Sequence, residues 1–405
     1  MNKEKSPQII LFLTVFLYLV GFGILIPLTP HLSRDLGATS TQAGLLMATY
    51  SVMQFLFSPL WGRLSDRIGR KKILLICLLG EAASYIFFAY ARSLETLFIA
   101  RALTGFFGAS LSTASAAMAD ITGEKDRSKG MALIGAAFGL GFVVGPALGG
   151  GLAVLSESVP ESILSGPFSR TTFVSLSVSV LFFLTFLFAV KKLPETLTLE
   201  NRNKEKKGRW FILFSKLQKP ALAPIMITFF LLTFSMASME ATLVYFMADR
   251  FAWTLTETSF GFAYIGIILV FTQGFLVRKL LPKLGERKIL LYSIPIFLVG
   301  MAIIAPANSV FVVAISMTLI ALGIGQSNPS LSGATSLLAE PGEQGATLGA
   351  NQSLASLGRI LGPAIGGYLY SIQPGYPFWF STALAALAWI LILRSYKSIP
   401  NSAKV

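Results

Sequence analysis

The chain has 405 residues, of which 54% are hydrophobic and only 13% charged, with a net charge of +14. A soluble chain carries about 25% charged residues to cover its surface, so this composition excludes an ordinary soluble globule and makes lipid the solvent. The single cysteine, Cys77, excludes an internal disulfide and a cysteine-rich metal centre, and the single histidine, His31, excludes a paired-histidine metal site.

Apolar runs near the roughly 20 residues that a helix needs to cross hydrocarbon recur along the chain. Strands would cross only as a closed barrel with alternating polarity. Runs such as 178–190 are apolar on every face and read as helix. The first run, 9–30, has a short Lys3/Lys5 flank and ends on Pro27 and Pro30 rather than at a small-residue cleavage site, so it reads as a retained span. The following runs are 41–61, 73–91, 94–119, 130–155, 171–190, 221–247, 259–280, 289–305, 310–338, 347–372 and 378–394, which makes twelve. A charged stretch, with an interfacial helix expected around 210–217, separates six spans from six. The predicted organisation is an N-terminal half at 1–190, a cytoplasmic linker at 191–220 and a C-terminal half at 221–405.

Charge orients these spans. Alternate connections, with both termini, hold 27 of the 33 Lys and Arg residues, and the opposite side holds four, Arg34, Arg92, Arg170 and Arg250. The positive-inside rule puts the basic side, and both termini, in the cytoplasm, which requires an even number of spans. The high net charge then anchors the protein beside anionic headgroups, and no nucleic-acid partner is expected.

Two features repeat. Gly69-Arg70-Lys71-Lys72-Ile73-Leu74 resembles Gly285-Glu286-Arg287-Lys288-Ile289-Leu290 at an offset of 216, and Gly145-Pro146 with Gly149-Gly150 resembles Gly362-Pro363 with Gly366-Gly367 at an offset of 217. Six spans lie between the copies, so the repeat is parallel, about an axis along the membrane normal. The fold expected is an all-α polytopic membrane protein, twelve transmembrane helices in two pseudo-symmetric six-helix halves.

Three motifs carry a family resemblance. Residues Gly62 to Lys72 resemble the loop signature G-x-L-x-D-R-x-G-R-[KR] of the major facilitator superfamily. Two glycines, Gly62 and Gly69, suit a tight reversal, and Asp66, Arg67 and Arg70 can serve helix ends or pair with a carboxylate, with Asp120 as the candidate partner. Arg101, in Leu97 to Gly105, resembles the family's span-4 arginine motif. Gly141, Gly145, Pro146 and Gly149 resemble the antiporter signature G-x(3)-G-P-x(3)-G-G, with one residue fewer before Gly149. Small residues let helices approach closely in lipid, and Pro146 can bend one. The chain is similar over nearly its whole length to the drug:proton antiporter group, in particular the bacterial tetracycline exporters. It departs from them at Tyr18 and Ser84, where those exporters have aspartates. Glu81 lies nearly one turn before Ser84.

The resemblance implies that the loop pairs latch the halves, that Arg101 serves proton transfer and that the Gly-Pro span marks export in exchange for protons. Ionisable residues within spans are functional candidates: Glu81, Arg101, Glu240 and Arg359 for proton coupling. A carboxyl shielded from water alternates between charged and neutral near ordinary pH, as coupling requires. Glu240 and Arg359 lie on helices that line the family's cavity and are expected to pair. Glu81 lies on a peripheral helix, where a structural hydrogen bond competes with a coupling role.

Aromatic and amide side chains suited to an amphipathic or cationic ligand are Tyr18, Phe22, Tyr50, Gln54, Phe138, Tyr245, Gln273, Gln326, Asn328, Asn351 and Gln352, joined by Glu240 and Arg359. The function expected is proton-driven export of small amphipathic or drug-like molecules by alternating access, as a monomer in the cell's inner membrane, with small-molecule substrate, protons and the bilayer as partners. No cofactor is expected. A lipid or glycolipid translocase of the same fold is the alternative. A membrane-embedded enzyme is disfavoured by the lack of a catalytic cluster, and ATP drive by the lack of a G-x-x-x-x-G-K-[ST] loop.

Overall fold

A computed structural model of the protein describes residues 5–159, 169–197, 209–340 and 343–400. They are helical throughout: α1 (Lys5–Asp35), α2 (Ser40–Ile68), α3 (Arg70–Ala89), α4 (Leu94–Gly108), α5 (Leu111–Glu157), α6 (Ser169–Lys192), α7 (Arg209–Leu217), α8 (Ala223–Phe251), α9 (Leu255–Phe271), α10 (Arg278–Ile304), α11 (Val310–Leu338), α12 (Gln344–Ile372) and α13 (Tyr376–Ser395), with a π-helical turn, Thr272–Val277, joining α9 to α10.

Among the described residues, ten helical runs are long and apolar enough to cross a membrane. One of them, Leu255–Ile304, is two spans. It divides at Gly285, whose φ of 71° and ψ of 168° are not helical. The 29-residue α12 is diluted in hydropathy by its glycines and polar residues and supplies the remaining span. Within α5, Gly130 packs against Met118 and Thr122, a β-carbon there standing 2.6 Å from Thr122 Cγ2. A straight helix would hold residues 122 and 130 about 12 Å apart at 1.5 Å per residue. The chain therefore turns back between them, and α5 supplies the end of span 4 and the whole of span 5.

One expectation changes here. Span 4 runs over Leu94–Thr122, but its helical hydrogen-bond ladder is broken at Ala109 and Ser110, between the end of α4 at Gly108 and the start of α5 at Leu111.

The helices form two compact units. One comprises Met1–Ala38, Thr49–Glu205 and Trp253–Ala263, the other Thr39–Ala48, Lys206–Ala252 and Tyr264–Val405. In the first, α1 packs on α5 through glycine. A β-carbon on Gly23 would stand 2.7 Å from the Gly141 carbonyl oxygen, and one on Gly145 2.7 Å from the Gly23 Cα. The second unit repeats this with α8 and α12. A β-carbon on Gly362 would stand 2.7 Å from Ala237 Cβ, and one on Gly366 2.6 Å from Ser238 Oγ. The sequence repeat is thus a packing repeat, with small residues bringing the backbones together where apolar surface alone supplies no drive in lipid.

In the second unit, α7 lies against the start of α12. Leu213 is buried with Leu222, Met226 and Ala350. Lys216 pairs with Glu343 and Lys219 with Glu340. In the same unit, Arg287 donates to the carbonyls of Ile399 (2.7 Å) and Lys397 (3.1 Å) and sits over the Tyr396 ring.

Candidate functional site

The signature from Gly62 to Lys72 is mostly helix rather than loop. The sequence assigned the reversal to two glycines, and the structure assigns it to one. Helix α2 runs on to Ile68, so Gly62 is an ordinary helical position where a β-carbon would meet nothing within 4 Å. Gly69 alone makes the turn, at φ 115° and ψ 145°. Gly285 holds the equivalent place in the repeat, also at positive φ.

Arg70 is the centre of this region. Its Nε donates to Asp120 Oδ2 at 3.0 Å, its Nη1 to Ser65 Oγ at 2.6 Å, and its Nη2 pairs with Asp66 Oδ1 at 2.5 Å. Its backbone N–H donates to Glu195 Oε1 at 2.8 Å. Glu195, just after α6, thereby supplies an acceptor for the orphan N–H groups that begin α3. Sequence reasoning anticipated Asp120 but missed Glu195, which sits among the linker's other charges. Arg67 is exposed. All the partners of Arg70 lie within the first unit, so the cluster ties α2, α3, α5 and the chain after α6 to one another.

The polar centre of the first unit lies at the break in α4. Glu81 is 1% exposed and Arg101 4%. Tyr18 Oη lies 3.1 Å from Tyr50 Oη and donates within 3.1 Å of the Gly108 carbonyl and 3.5 Å of Glu81 Oε1. Gln54 Nε2 donates to the same Gly108 carbonyl at 3.1 Å and to Tyr50 Oη at 3.3 Å. The Arg101 guanidinium sits over the Tyr50 ring, 4.8 Å from its centroid. Glu81 Oε2 and Arg101 Nε and Nη1 are buried with no hydrogen-bond partner among the described residues. An unpaired buried polar atom is costly, so this carboxylate and guanidinium have bonding capacity in hand.

Four sequence candidates, Tyr18, Tyr50, Glu81 and Arg101, are therefore one cluster, with Gln54 on its edge. Glu81 lies on α3 but faces inward, onto α1 and α4. Ser84 is turned to its own helix, donating to the Gly80 carbonyl at 2.7 Å. Tyr85 and Gly108 also belong to the cluster, and sequence reasoning missed both. Their signals were the one-turn spacing from Glu81 to Tyr85 and the glycines at 105 and 108 that follow Arg101. Phe22 extends the aromatic wall, 5.1 Å from the Tyr50 ring and 6.0 Å from Phe142. The side chain of Phe138 lies outside the described residues.

In the second unit, Glu240 on α8 feels the charge of Arg359 on α12, and Arg359 Nη2 reaches Ser356 Oγ at 3.3 Å. The other candidates do not gather around this pair. Gln326 is buried, accepting from Tyr292 Oη at 2.8 Å and donating to the Leu322 carbonyl. Tyr245 packs against Tyr370, whose hydroxyl donates to Asp249 at 2.8 Å. Gln273 lies in the π-helical turn and Gln352 is exposed. Asn328 and Asn351 each keep a buried Oδ1 with no partner among the described residues. His31 is half-buried and bonds Thr258 Oγ1 at 3.2 Å within the first unit.

Comparison with known proteins agrees with this architecture. The sequence profile described as Major Facilitator Superfamily matches residues 11–359 and 279–404. The chain is 31% identical over 397 residues to the tetracycline resistance protein, class H, of Pasteurella multocida, covering 96% of this chain and 95% of that protein. It is 28% identical over 394 residues to multidrug resistance protein 1 of Bacillus subtilis, covering 97% of each. The crystal structure of the human organic anion transporter MFSD10 (TETRAN) superposes with a TM-score of 0.73 at 26% identity, covering 97% of this chain and 100% of that one. With its helical halves, their packing repeat and these matches along its length, the chain belongs to the major facilitator superfamily of membrane transporters.

Proposed function

We propose that the protein exports small amphipathic or drug-like molecules in exchange for protons, with Glu81 as the proton carrier of the first unit. The observation that carries this reading is the buried cluster of Glu81, Arg101, Tyr18 and Tyr50. A carboxyl needs a neighbour that tolerates both its forms. A phenol does so, since it donates to a carboxylate and accepts from a carboxylic acid. Arg101 supplies the compensating charge when the proton leaves. Relatives named for tetracycline and multidrug resistance support the class of cargo. The positions where tetracycline exporters carry aspartates are Tyr18 and Ser84 here, and Glu81 supplies the acid beside them.

The second unit's Glu240, under the charge of Arg359, is proposed as a substrate or coupling group that works with the first. The lysine and arginine asymmetry supports a cytoplasmic position for both termini, and the same proposal has the protein working as a monomer in the inner membrane.

The test is a panel of toxic amphipathic compounds applied to cells with and without the protein, followed by pH-gradient-driven uptake of any active compound into proteoliposomes. The expected result is resistance abolished by an uncoupler, and uptake that loses its response to the gradient in Glu81→Gln. Resistance that persists unchanged with the uncoupler would overturn the proton-exchange reading. Full gradient-driven exchange by Glu81→Gln would move the carrier role elsewhere, with Glu240→Gln as the next variant.

A further inference from the structure

The break in α4 leaves backbone carbonyls without helical donors, and α2 supplies side chains to most of them. Trp61 Nε1 donates to the Phe106 carbonyl at 2.7 Å and Gln54 Nε2 to Gly108 at 3.1 Å, while Ser112 Oγ meets the Ala109 oxygen at 3.0 Å and Ser58 Oγ, which donates to the Gln54 carbonyl at 2.7 Å, lies 3.5 Å from it. Residues 54, 58 and 61 follow helical spacing and form one stripe along the break. Irregular backbone within a membrane is tolerated where such partners satisfy it.

The missing side chain of Gly108 matters as much as its carbonyl. A β-carbon there would stand 2.7 Å from Tyr50 Oη, 2.8 Å from Tyr18 Oη and 3.1 Å from Glu81 Oε1. Three oxygens thus converge beside one glycine.

Tyr18 has one hydroxyl proton and three acceptors within reach, Glu81 Oε1, Gly108 O and Tyr50 Oη. An ionised Glu81 accepts only. The Tyr18 proton then goes to Glu81, and Gly108 O is left to Gln54. A protonated Glu81 can itself donate to Tyr18 Oη. The Tyr18 proton is then released to Gly108 O. No covalent bond changes; one hydrogen bond moves by rotation of one hydroxyl.

We propose that Tyr18 is a positioning residue that reports the protonation state of Glu81 to the break in α4, and through the Gln54–Ser58–Trp61 stripe to α2. The proposal rests on Glu81 being the proton carrier. Protonation therefore alters how tightly a mid-membrane break is held, at a helix junction rather than at a distant surface. The titratable and charged groups that face Glu81 are Tyr18 from α1 with Tyr50 of α2 behind it, Cys77 and Tyr85 on α3 itself, and Arg101 from α4. None of them except Tyr18 donates to both Glu81 and the break.

The experiment needs only protons as ligand. Trp61 is kept as the one tryptophan, with the other four replaced by phenylalanine, and its emission is followed against pH in proteoliposomes. The carboxylic-acid infrared band of Glu81, identified by its loss in Glu81→Gln, is followed in parallel. The expected result is one midpoint for both signals in the parent protein and no Trp61 response in Glu81→Gln.

In Tyr18→Phe the Glu81 band still titrates while most of the Trp61 response is lost. In Gln54→Leu, Gly108 O has no donor until Glu81 is protonated, so the common midpoint rises by about half to one pH unit, as one net hydrogen bond requires. A Trp61 response in Tyr18→Phe equal to the parent's, with Glu81 titrating, would overturn the relay and leave Glu81 as carrier. A Glu81 band that does not titrate would overturn the carrier reading itself. Should Tyr18→Phe fail to fold, judged by circular dichroism and melting, Gln54→Leu decides. An unmoved or lowered midpoint there would equally overturn the relay.

Discussion

A β-carbon on Gly145 of α5 would stand 2.7 Å from the Gly23 Cα of α1 and 2.7 Å from the Val20 carbonyl oxygen. Both obstacles are backbone, which cannot swing aside as a long side chain does. Gly145→Ala must push the two helices apart. Overpacking of this kind costs about 1–3 kcal/mol, and 1.36 kcal/mol is tenfold in rate. Transport by Gly145→Ala is therefore expected to fall about tenfold or more at equal membrane abundance. Gly151→Ala, where the added carbon meets nothing within 4 Å, serves as the neutral control. Equal transport by the two variants would show that close approach of α1 and α5 is not required.

Gly69 and Gly62 separate in the same way. Gly69 has φ 115° and ψ 145°, and its β-carbon would collide with the Glu195 carboxylate. Backbone of this kind is nearly confined to glycine and costs other residues about 1–3 kcal/mol. Gly69→Ala is expected to lower the melting temperature in detergent. Gly62→Ala, inside α2, is expected to hold or slightly raise it, since alanine favours helix. Thermal melts of both variants decide the point.

The pair of Lys216 and Glu343 pins α7 to the start of α12. Lys216→Glu or Glu343→Lys alone is expected to destabilise by about 1–2 kcal/mol. This is less than for a fully buried pair, because Glu343 is 44% exposed. The double exchange is expected to recover most of the loss, measured as a double-mutant cycle of melts. Beside it, the Glu340 carboxylate holds Lys219 above the usual lysine range. What that pair contributes is therefore present below the ordinary lysine pKa and is lost only as pH rises past the raised value. The α7 contact should accordingly survive moderate alkali in a limited-proteolysis assay.

The Arg101 guanidinium lies over the Tyr50 ring, 4.8 Å from its centroid. Lysine keeps the charge but not the planar group or the forked donors. Arg101→Lys is expected to insert normally and to transport about tenfold or more slowly, a loss of about 1.4 kcal/mol in the slow step. Uptake at saturating and limiting substrate distinguishes a binding loss from a slower cycle. Parent-level rates would show that charge alone suffices at this position.

Much of this architecture was legible because lipid imposes few solutions. Apolar length, basic asymmetry and the offsets near 216 are properties of the chain alone, and they lead to twelve helices in two halves. The Arg70–Asp120 pair followed from charge and position. What stayed hidden depends on rotation and on breaks. No pattern in 73–91 says that Glu81 faces α1 and α4, since that face is set by how α3 and α6 pack. The interruption after Gly108 is equally silent, because Phe106-Phe107-Gly108-Ala109-Ser110 reads as ordinary apolar helix. The side chains that satisfy its carbonyls, Gln54 and Trp61, lie on α2, far away in sequence. Gln54 was visible as a polar residue, but its partner was not.

The turns at Gly69 and Gly285 carry a consequence for descent. Each sits at positive φ at the same place in its half, while the residues that follow differ, Arg70 against Glu286. If the halves arose by duplication of one six-helix ancestor, the electrostatics around the turn were free to diverge, and the backbone was not. Arg70 clasps acids on neighbouring helices, whereas the second copy has Glu286 at that place and uses Arg287 to hold the chain past α13. A single steric constraint thus outlasted the chemistry built around it, and the two copies now do different work on the same hinge of backbone.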